Sequence, residues 1–170
     1  VHSMFSHERE ECEAGYYKVH LDSYGIDVEL TATERCGIQR YTYPTDTATV
    51  LLNLGKATNW DATTDTYITK VDDYTIEGYR YSNGWARKQQ VYFRTRFSHP
   101  IATMQCDSII IHAGTETKKV AGTTRFTFVL DNDRQLTVVT ALSGTGLEGA
   151  EKNLAAEAPD NNFDKFLKKT

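Results

Sequence analysis

The chain has 170 residues and a net charge of −4, with 19 Lys and Arg residues against 23 Asp and Glu residues. This length fits one domain, or one domain with a short appendage. The charge balance offers no basic surface for nucleic acid, and the apolar runs are too short for any segment to span a bilayer.

The chain begins with a strongly charged stretch, FSHEREECE, at residues 5–13. Carboxylates and imidazoles bind metals, so His7, Glu8 and their neighbours could hold a cation. Their spacing matches no known ligand motif, however. The density of charge favours a solvated lead-in to a strand, with metal binding as the alternative.

From residue 16 to residue 142, apolar and polar residues alternate in short runs. In IDVELTAT, the alternation places Ile26, Val28 and Leu30 on one face, and turn-forming residues separate this run from the next. Such spacing predicts a mainly β fold, an antiparallel β-sandwich. The other predicted apolar stripes are Tyr17, Val19 and Leu21; Val91, Phe93 and Phe97; Phe126, Phe128 and Leu130; and Leu136, Val138 and Leu142.

The three cysteines, Cys12, Cys36 and Cys106, include no C-x-x-C pair. A zinc ribbon or a thioredoxin-like site therefore has no support. Cysteines without such spacing most often fill apolar interiors, so we expect all three to be buried. One disulfide with one cysteine left over is the alternative in an oxidising compartment.

The segment IEGYRYSNGWARKQQVYF, residues 76–93, places several aromatic residues around a turn that also carries an arginine. Aromatic faces can stack on sugar rings while an arginine bonds the hydroxyls, so Arg80 and Trp85 are candidates for sugar contact. The alternative is a hairpin whose aromatic residues pack on the sheet.

Three glycines, Gly144, Gly146 and Gly149, form the pattern G-x-G-x-x-G after an apolar run. A dinucleotide-binding fold requires a strand after the helix that follows such glycines. Here helical spacing continues instead, so we interpret the glycines as a joint between sheet and helix. The apolar positions at helical spacing are Leu147, Ala150, Leu154 and Ala158, ended by Pro159, and then Phe163, Phe166 and Leu167.

No group of residues selects a catalytic centre. No histidine has a Ser or Cys partner at an informative spacing, so a nucleophilic triad cannot be argued. Glycoside hydrolysis by acid and base needs two carboxylates placed across a bond, and no such pair stands out. The sequence therefore predicts no catalytic residue, no metal ligand and no cofactor site in this chain.

Three segments in order resemble glycoside hydrolase family 92, a family of α-mannosidases. Residues 5–44 resemble the family patterns S-H-E-x-E-x-A-x-x-G-Y-Y and E-L-T-A-T-x-R-x-G-x-x-R-Y-x-x-P, although Cys12 departs from them. Residues 76–86 resemble I-E-G-Y-R-x-S-x-G-W-A, and residues 146–159 resemble the bridge to a helical domain. Residues 56–75 match no family segment. The matching positions are Ser6, His7, Glu8, Glu10, Gly15, Tyr16, Tyr17, Glu29–Thr33, Arg35, Gly37, Arg40, Tyr41, Pro44, Ile76–Arg80, Ser82 and Gly84–Ala86.

The resemblance implies an enzyme in two parts, a β-sandwich and a larger helical (α/α) domain, that removes mannose from glycans. It implies an inverting, calcium-dependent exo-α-mannosidase whose acid and base come from the helical part. The Ca²⁺ would then be a cofactor of the parent enzyme and not of this fragment. As candidates for the substrate cleft we take His7, Glu8, Arg40, Arg80 and Trp85.

We therefore expect residues 1–145 to be the sandwich domain, truncated at its start, and residues 146–170 to be a helical linker toward a missing catalytic domain. The expected partners are that domain in the same polypeptide and mannose-containing glycans. The expected location is the periplasm or the exterior of a bacterium, with a signal peptide outside this chain. Alone, the fragment should be inactive. The alternative function is an autonomous carbohydrate-binding module.

Overall fold

The computed structural model describes residues 2–57, 60–107, 109–110, 116–118 and 122–168. Every described strand pairing is antiparallel, which confirms the fold predicted from the alternating pattern. In chain order the strands are β1 (Glu10–Glu13), β2 (Tyr16–Leu21), β3 (Ile26–Ala32), β4 (Cys36–Thr42), β5 (Thr47–Asn53), β6 (Ala62–Lys70), β7 (Thr75–Asn83), β8 (Gln89–Phe97), β9 (Thr103–Cys106), β10 (Ile109–Ile110), β11 (Glu116–Lys118), β12 (Thr123–Val129) and β13 (Gln135–Ser143).

Two sheets form the sandwich. The larger sheet has the spatial order β1-β2-β3-β4-β13-β8-β7-β6-β11, and the smaller has the order β10-β9-β12-β5. Two helices follow the last strand, α1 (Leu147–Glu157) and α2 (Phe163–Leu167), where the helical spacing predicts them. Neither has the length that a bilayer crossing needs.

The core between the sheets is rich in phenylalanine. Phe97 packs against Phe126 and Phe128, with ring centroids 5.5 and 4.9 Å apart. All three side chains are almost completely buried. Each buried aromatic side chain removes a large apolar area from water, so this cluster holds the two sheets face to face.

A second core lies on the opposite face of the larger sheet, beneath the helices. Strand β13 contributes to both cores, with Leu136 and Val138 facing the smaller sheet and Val139 and Ala141 facing the helices. The prediction that Leu142 continues the buried apolar stripe of Leu136 and Val138 is wrong, because Leu142 is 48% exposed. Leu142 lies instead on an open groove at the end of the sheet.

Arginines bind the helical segment to the larger sheet, and we call three of them, Arg35, Arg40 and Arg96, the docking arginines. Arg96 donates to the carbonyl oxygens of Ala158 and Asp160, both at 2.7 Å. These carbonyls follow the last turn of α1, where a helix leaves acceptors without partners in the helix. The segment from Gly146 is thus a packed layer of the domain.

Arg35 and Arg40 bind carboxylates of the helical segment. The Arg35 side chain donates to Glu157 at 2.6 Å, and its backbone N–H donates to the same carboxylate at 2.9 Å. Arg40 donates to Asp164 at 2.9 Å and lies over the Phe163 ring. Charged hydrogen bonds of this kind add direction to the apolar packing.

Of the cysteines, Cys36 and Cys106 are buried and Cys12 is exposed, and all three are free thiols. The expectation that Cys12 fills an apolar interior is therefore wrong. Cys12 lies on β1, which forms an edge of the larger sheet and has neither layer over it.

The glycine pattern forms a joint between β13 and α1. Gly146 is the residue before the first turn of α1 and has φ +155°, a conformation that residues with a side chain rarely adopt. The helix that follows leads to another helix, and the described strands contain no parallel pair. The geometry therefore gives no support to a dinucleotide site.

We predict that Gly146→Ala lowers the free energy of unfolding by about 1–3 kcal/mol, because alanine is strained at this φ. Gly144→Ala is the matched control, since an added Cβ there meets no atom within 4 Å and its φ is not in the restricted range. The control should change stability by no more than about 1 kcal/mol. Urea denaturation measures both, and equal losses would contradict the strain at Gly146.

Candidate functional site

The five candidate residues fall in three separate places on the larger sheet. His7 and Glu8 lie before the edge strand β1, Arg40 lies on the central strand β4, and Arg80 and Trp85 lie on or after β7. Six strand spacings separate β1 from β7, or about 29 Å along the sheet. The described structure therefore does not bring all five residues to one sugar-sized site.

At the N-terminal edge, His7 belongs to a short chain of hydrogen bonds. Its Nδ1 lies 2.6 Å from Glu10 Oε2, and Tyr17 donates to the other oxygen of Glu10 at 2.5 Å. The bonds from Tyr17 and His7 lower the pKa of Glu10. The His7 side chain is 87% exposed, and Phe5 touches its ring edge-on. The exposed His7 ring offers a hydrogen bond to a hydroxyl group. The one carboxylate of the cluster, Glu10, is already bonded to His7 and Tyr17.

The sequence did not predict that Glu10 and Tyr17 complete this cluster. The cluster forms because β1 pairs with β2 in a register that sets Cys12 opposite Tyr17. Glu10 lies two residues from Cys12 on the same face of β1, so Tyr17 is near it. Register of this kind depends on the turn between the strands and cannot be derived from the charges alone.

The structure offers no calcium site in the residues it describes. In this part of the chain no three side chains of His, Cys, Asp or Glu converge as metal ligands. The charged stretch instead pairs within the chain, as in the contact of Glu11 with Lys18 at 3.4 Å. The described part of the chain therefore offers the Ca²⁺ that the family resemblance implies no set of three such side-chain ligands.

Arg40 lies under α2, where the family resemblance had suggested a cleft residue. Its guanidinium bonds both oxygens of Glu29, at 2.7 and 2.8 Å, and also bonds Asp164. Arg40 lowers the pKa of Glu29, while burial and the bond to Glu29 raise the pKa of Tyr16 to about 12. The Arg40 side chain is only 17% exposed. Its contacts with Glu29 and Asp164 join β3 and β4 to α2.

We predict that the Glu29–Arg40 pair makes stability depend on pH. The pKa of Glu29 is lower in the folded protein than in the unfolded chain, so its contribution is present above about pH 4.5 and is lost as the pH falls through the folded pKa. Glu29→Gln should lower the free energy of unfolding at pH 7 by about 1–3 kcal/mol.

The same substitution should flatten the fall in stability between about pH 5 and pH 3. Glu13→Gln, at an exposed position on β1, is the control and should leave the profile unchanged. Denaturant unfolding across this range measures the slope. A Glu29→Gln variant that keeps the full acid dependence would contradict the assignment.

Arg80 is the centre of a network at the far end of β7. Its Nε donates to the carbonyl oxygen of Leu54, and its two terminal nitrogens donate to Asp61, Thr63 and Ser82 over 2.8–3.3 Å. These contacts use all five N–H groups of the guanidinium. They also lower the pKa of Asp61, chiefly through the Arg80 bond. Arg80 thus ties Leu54 and Asp61 to β7 and has no donor left for sugar.

Trp85 has a different environment from Arg80, although both belong to the same sequence motif. Its side chain lies in the turn between β7 and β8 and is 92% exposed. The neighbouring tyrosines are packed, because Tyr79 and Tyr81 stack on each other with centroids 4.2 Å apart. The tyrosines thus pack as the hairpin interpretation expects, whereas Trp85 faces solvent, and its contact with sugar stays a prediction.

None of the five concavities described on the surface holds a pair of carboxylates. The largest, about 770 Å³, lies beside the glycine joint and has Glu34 as its one acidic residue. A groove of about 550 Å³ between the sheets is lined by Tyr24, Tyr41, Tyr43 and other residues, none acidic. The other three have at most one carboxylate each. Acid and base hydrolysis of a glycoside requires two.

We predict that Arg80→Ala lowers the free energy of unfolding by about 2–3 kcal/mol, because it removes the hydrogen bonds of the guanidinium to Leu54, Asp61, Thr63 and Ser82 together. Arg80→Lys should recover only part of this loss, since an ammonium cannot reproduce five bonds of the fork. Arg125→Ala, at an exposed arginine on β12, is the control. Thermal and urea unfolding compare the three variants, and equal stability of Arg80→Ala and the control would disprove the network.

The structure thus defines a two-sheet sandwich with a helical layer and no catalytic carboxylate pair in the described concavities. The sequence matches the profile of the glycosyl hydrolase family 92 N-terminal domain over residues 1–143. The chain therefore belongs to this family. No curated protein matched the chain.

Solved structures of the family have the same fold. The GH92 alpha-mannosidase BT3965 from Bacteroides thetaiotaomicron has 26% identity and a TM-score of 0.88 over 98% of this chain. The inverting mannosidase BT2199 from the same organism has 23% identity and a TM-score of 0.80 over 98% of this chain, and the glycosyl hydrolase ccman5 has 20% and 0.84 over 98%. This chain covers 24%, 22% and 24% of their respective lengths.

Proposed function

We propose that this chain is the non-catalytic β-sandwich part of an inverting exo-α-mannosidase that trims mannose from glycans. The observation that carries the proposal is the family match over residues 1–143, with relatives about four times as long as this chain. The relative BT3965 is described as an alpha-mannosidase and has been solved in complex with mannoimidazole. A substrate of the same class for this protein is part of the proposal.

The absence of paired carboxylates in the described concavities supports a non-catalytic role. Inversion requires an acid and a base about 6.5–9.5 Å apart across the sugar. The partly buried carboxylates that the structure describes are used in the fold, as Glu29 with Arg40 and Asp61 with Arg80 show. We propose that the acid and the base belong to a helical domain of the same polypeptide, together with the Ca²⁺ that the family resemblance implies.

The docking of the helices gives the sandwich a mechanical role. Ala150, Leu154 and Phe166 are buried against the larger sheet, and the docking arginines hold the segment from several sides. A rigid attachment positions the next domain with little loss of conformational entropy, and precise placement is what a cleft shared by two domains requires. We propose that Trp85 or the His7 cluster then reaches the cleft wall.

A second candidate function is an autonomous carbohydrate-binding module. The observation that favours it is the exposure of Trp85 and Trp60, at 92% and 71%. Binding to the isolated chain together with no helical domain encoded downstream would support this function, and a helical domain encoded downstream would support the first. We also propose a periplasmic or extracellular location, which a signal peptide encoded upstream would support.

We predict that the purified chain releases no mannose from an α-mannoside in millimolar calcium, because it lacks the acid and the base. The polypeptide expressed from the complete reading frame is the positive control and should release the α-mannoside's mannose as the β-anomer. The anomer is measured by NMR during the reaction. Turnover by the chain that survives repurification and is lost in Glu8→Gln or Glu10→Gln would overturn the proposal.

A further inference from the structure

Both tryptophans of this chain are exposed. The sequence contains two, and Trp60 and Trp85 are 71% and 92% exposed. Tryptophan carries one of the largest apolar surfaces of any side chain and is highly buried on average in folded proteins. Exposed indoles that are carried close together present an apolar patch of the kind that marks a binding surface.

The backbone brings the two residues to the same place. Ala62 pairs with Asn83 at the ends of β6 and β7. One residue further out, a Cβ added to Gly84 would lie 2.6 Å from the Cβ of Asp61, so these two residues face each other closely. Trp60 and Trp85 are the next residues outward on the two segments. We call this pair the tryptophan platform.

The base of the platform is fixed. Arg80 bonds both oxygens of Asp61 and also bonds Ser82, which in turn donates to Gln89 at 3.1 Å. These bonds tie together the three chain segments that carry and flank the platform. A surface that is already ordered loses less entropy on binding, which favours ligand recognition.

We propose that the tryptophan platform is a subsite for a mannose-rich glycan, with the indoles stacked on pyranose rings. The assignment to mannose rests on the proposed function. Trp60 belongs to none of the segments that resemble the family, and Arg80 acts as a positioning residue that does not contact the sugar.

The surroundings favour a glycan over a protein partner. Three exposed polar and charged residues, Asn83, Arg87 and Lys88, lie within three positions of Trp85 in the chain. The centre of a protein interface is depleted in charge and needs a wide apolar area. A pyranose ring presents a small apolar C–H face with a rim of hydroxyls. The apolar face suits the indoles, and the hydroxyls suit the polar residues beside them.

Tryptophan fluorescence tests the platform directly, because both tryptophans of the chain belong to it. We expect α-mannan to shift the emission of the chain to shorter wavelength and to protect it from acrylamide quenching. Trp60→Ala and Trp85→Ala each leave one reporter and should weaken binding about tenfold or more. Tyr74→Ala is the control, because Tyr74 is 44% exposed at the opposite end of β7.

Kinetics of the complete polypeptide provide the second readout. Each tryptophan variant should raise the KM for α-mannan with little change in kcat, and should leave the KM for methyl α-mannoside unchanged, because a monosaccharide glycoside does not reach the subsite. Trp85→Phe should retain part of the affinity by keeping an aromatic face.

The outcomes separate the two proposals. If the chain binds mannan and both alanine variants lose that binding, the platform is supported. If the complete polypeptide releases no mannose, the mannosidase proposal is refuted, and the binding result for the platform still stands. Absence of protection by mannan, equal protection by a glucan, or a dimer that buries the indoles in light-scattering and quenching experiments would overturn the platform.

Discussion

The burial of both faces of strand β13 is the constraint on which the rest of the structure depends. Leu136 and Val138 need the smaller sheet above them, and Val139 and Ala141 need the helices below. A strand in the middle of a nine-stranded sheet cannot leave either apolar face in water without losing about 1.5–3 kcal/mol for each large side chain exposed. The helical segment is therefore part of the domain, and its position is set by the sheet.

The arginines turn this packing into a defined orientation. Apolar contacts have little direction, whereas a guanidinium bonds its acceptors in a fixed plane. Arg96 donates to the carbonyls after the end of α1, Arg35 donates to Glu157, and Arg40 donates to Asp164. Together they hold one helix end and the next helix against three parts of the same sheet. The direction of the segment after the sandwich is thereby fixed, as a shared active site between two domains would require.

Several residues that carry the family resemblance serve the architecture. Arg35 and Arg40 bond the helical segment, and Arg80 bonds Leu54 and Asp61, so a matching arginine here is not evidence of sugar contact. Among the five candidate residues, those that face solvent are His7, Glu8 and Trp85, the first two before β1 and the last after β7.

The sequence by itself determined the antiparallel strands, the two helices and the family, because periodicity and motif order are local or linear properties. It did not determine which partner each charged group takes. Glu29 meets Arg40, and Glu10 meets Tyr17, only through strand register, while Arg80 on β7 meets Asp61 because β6 and β7 pair side by side. The exposure of Cys12 and Leu142 likewise depends on where the covering layers end. Tertiary structure decided these points, because burial and pairing are set by neighbours that are distant in the chain.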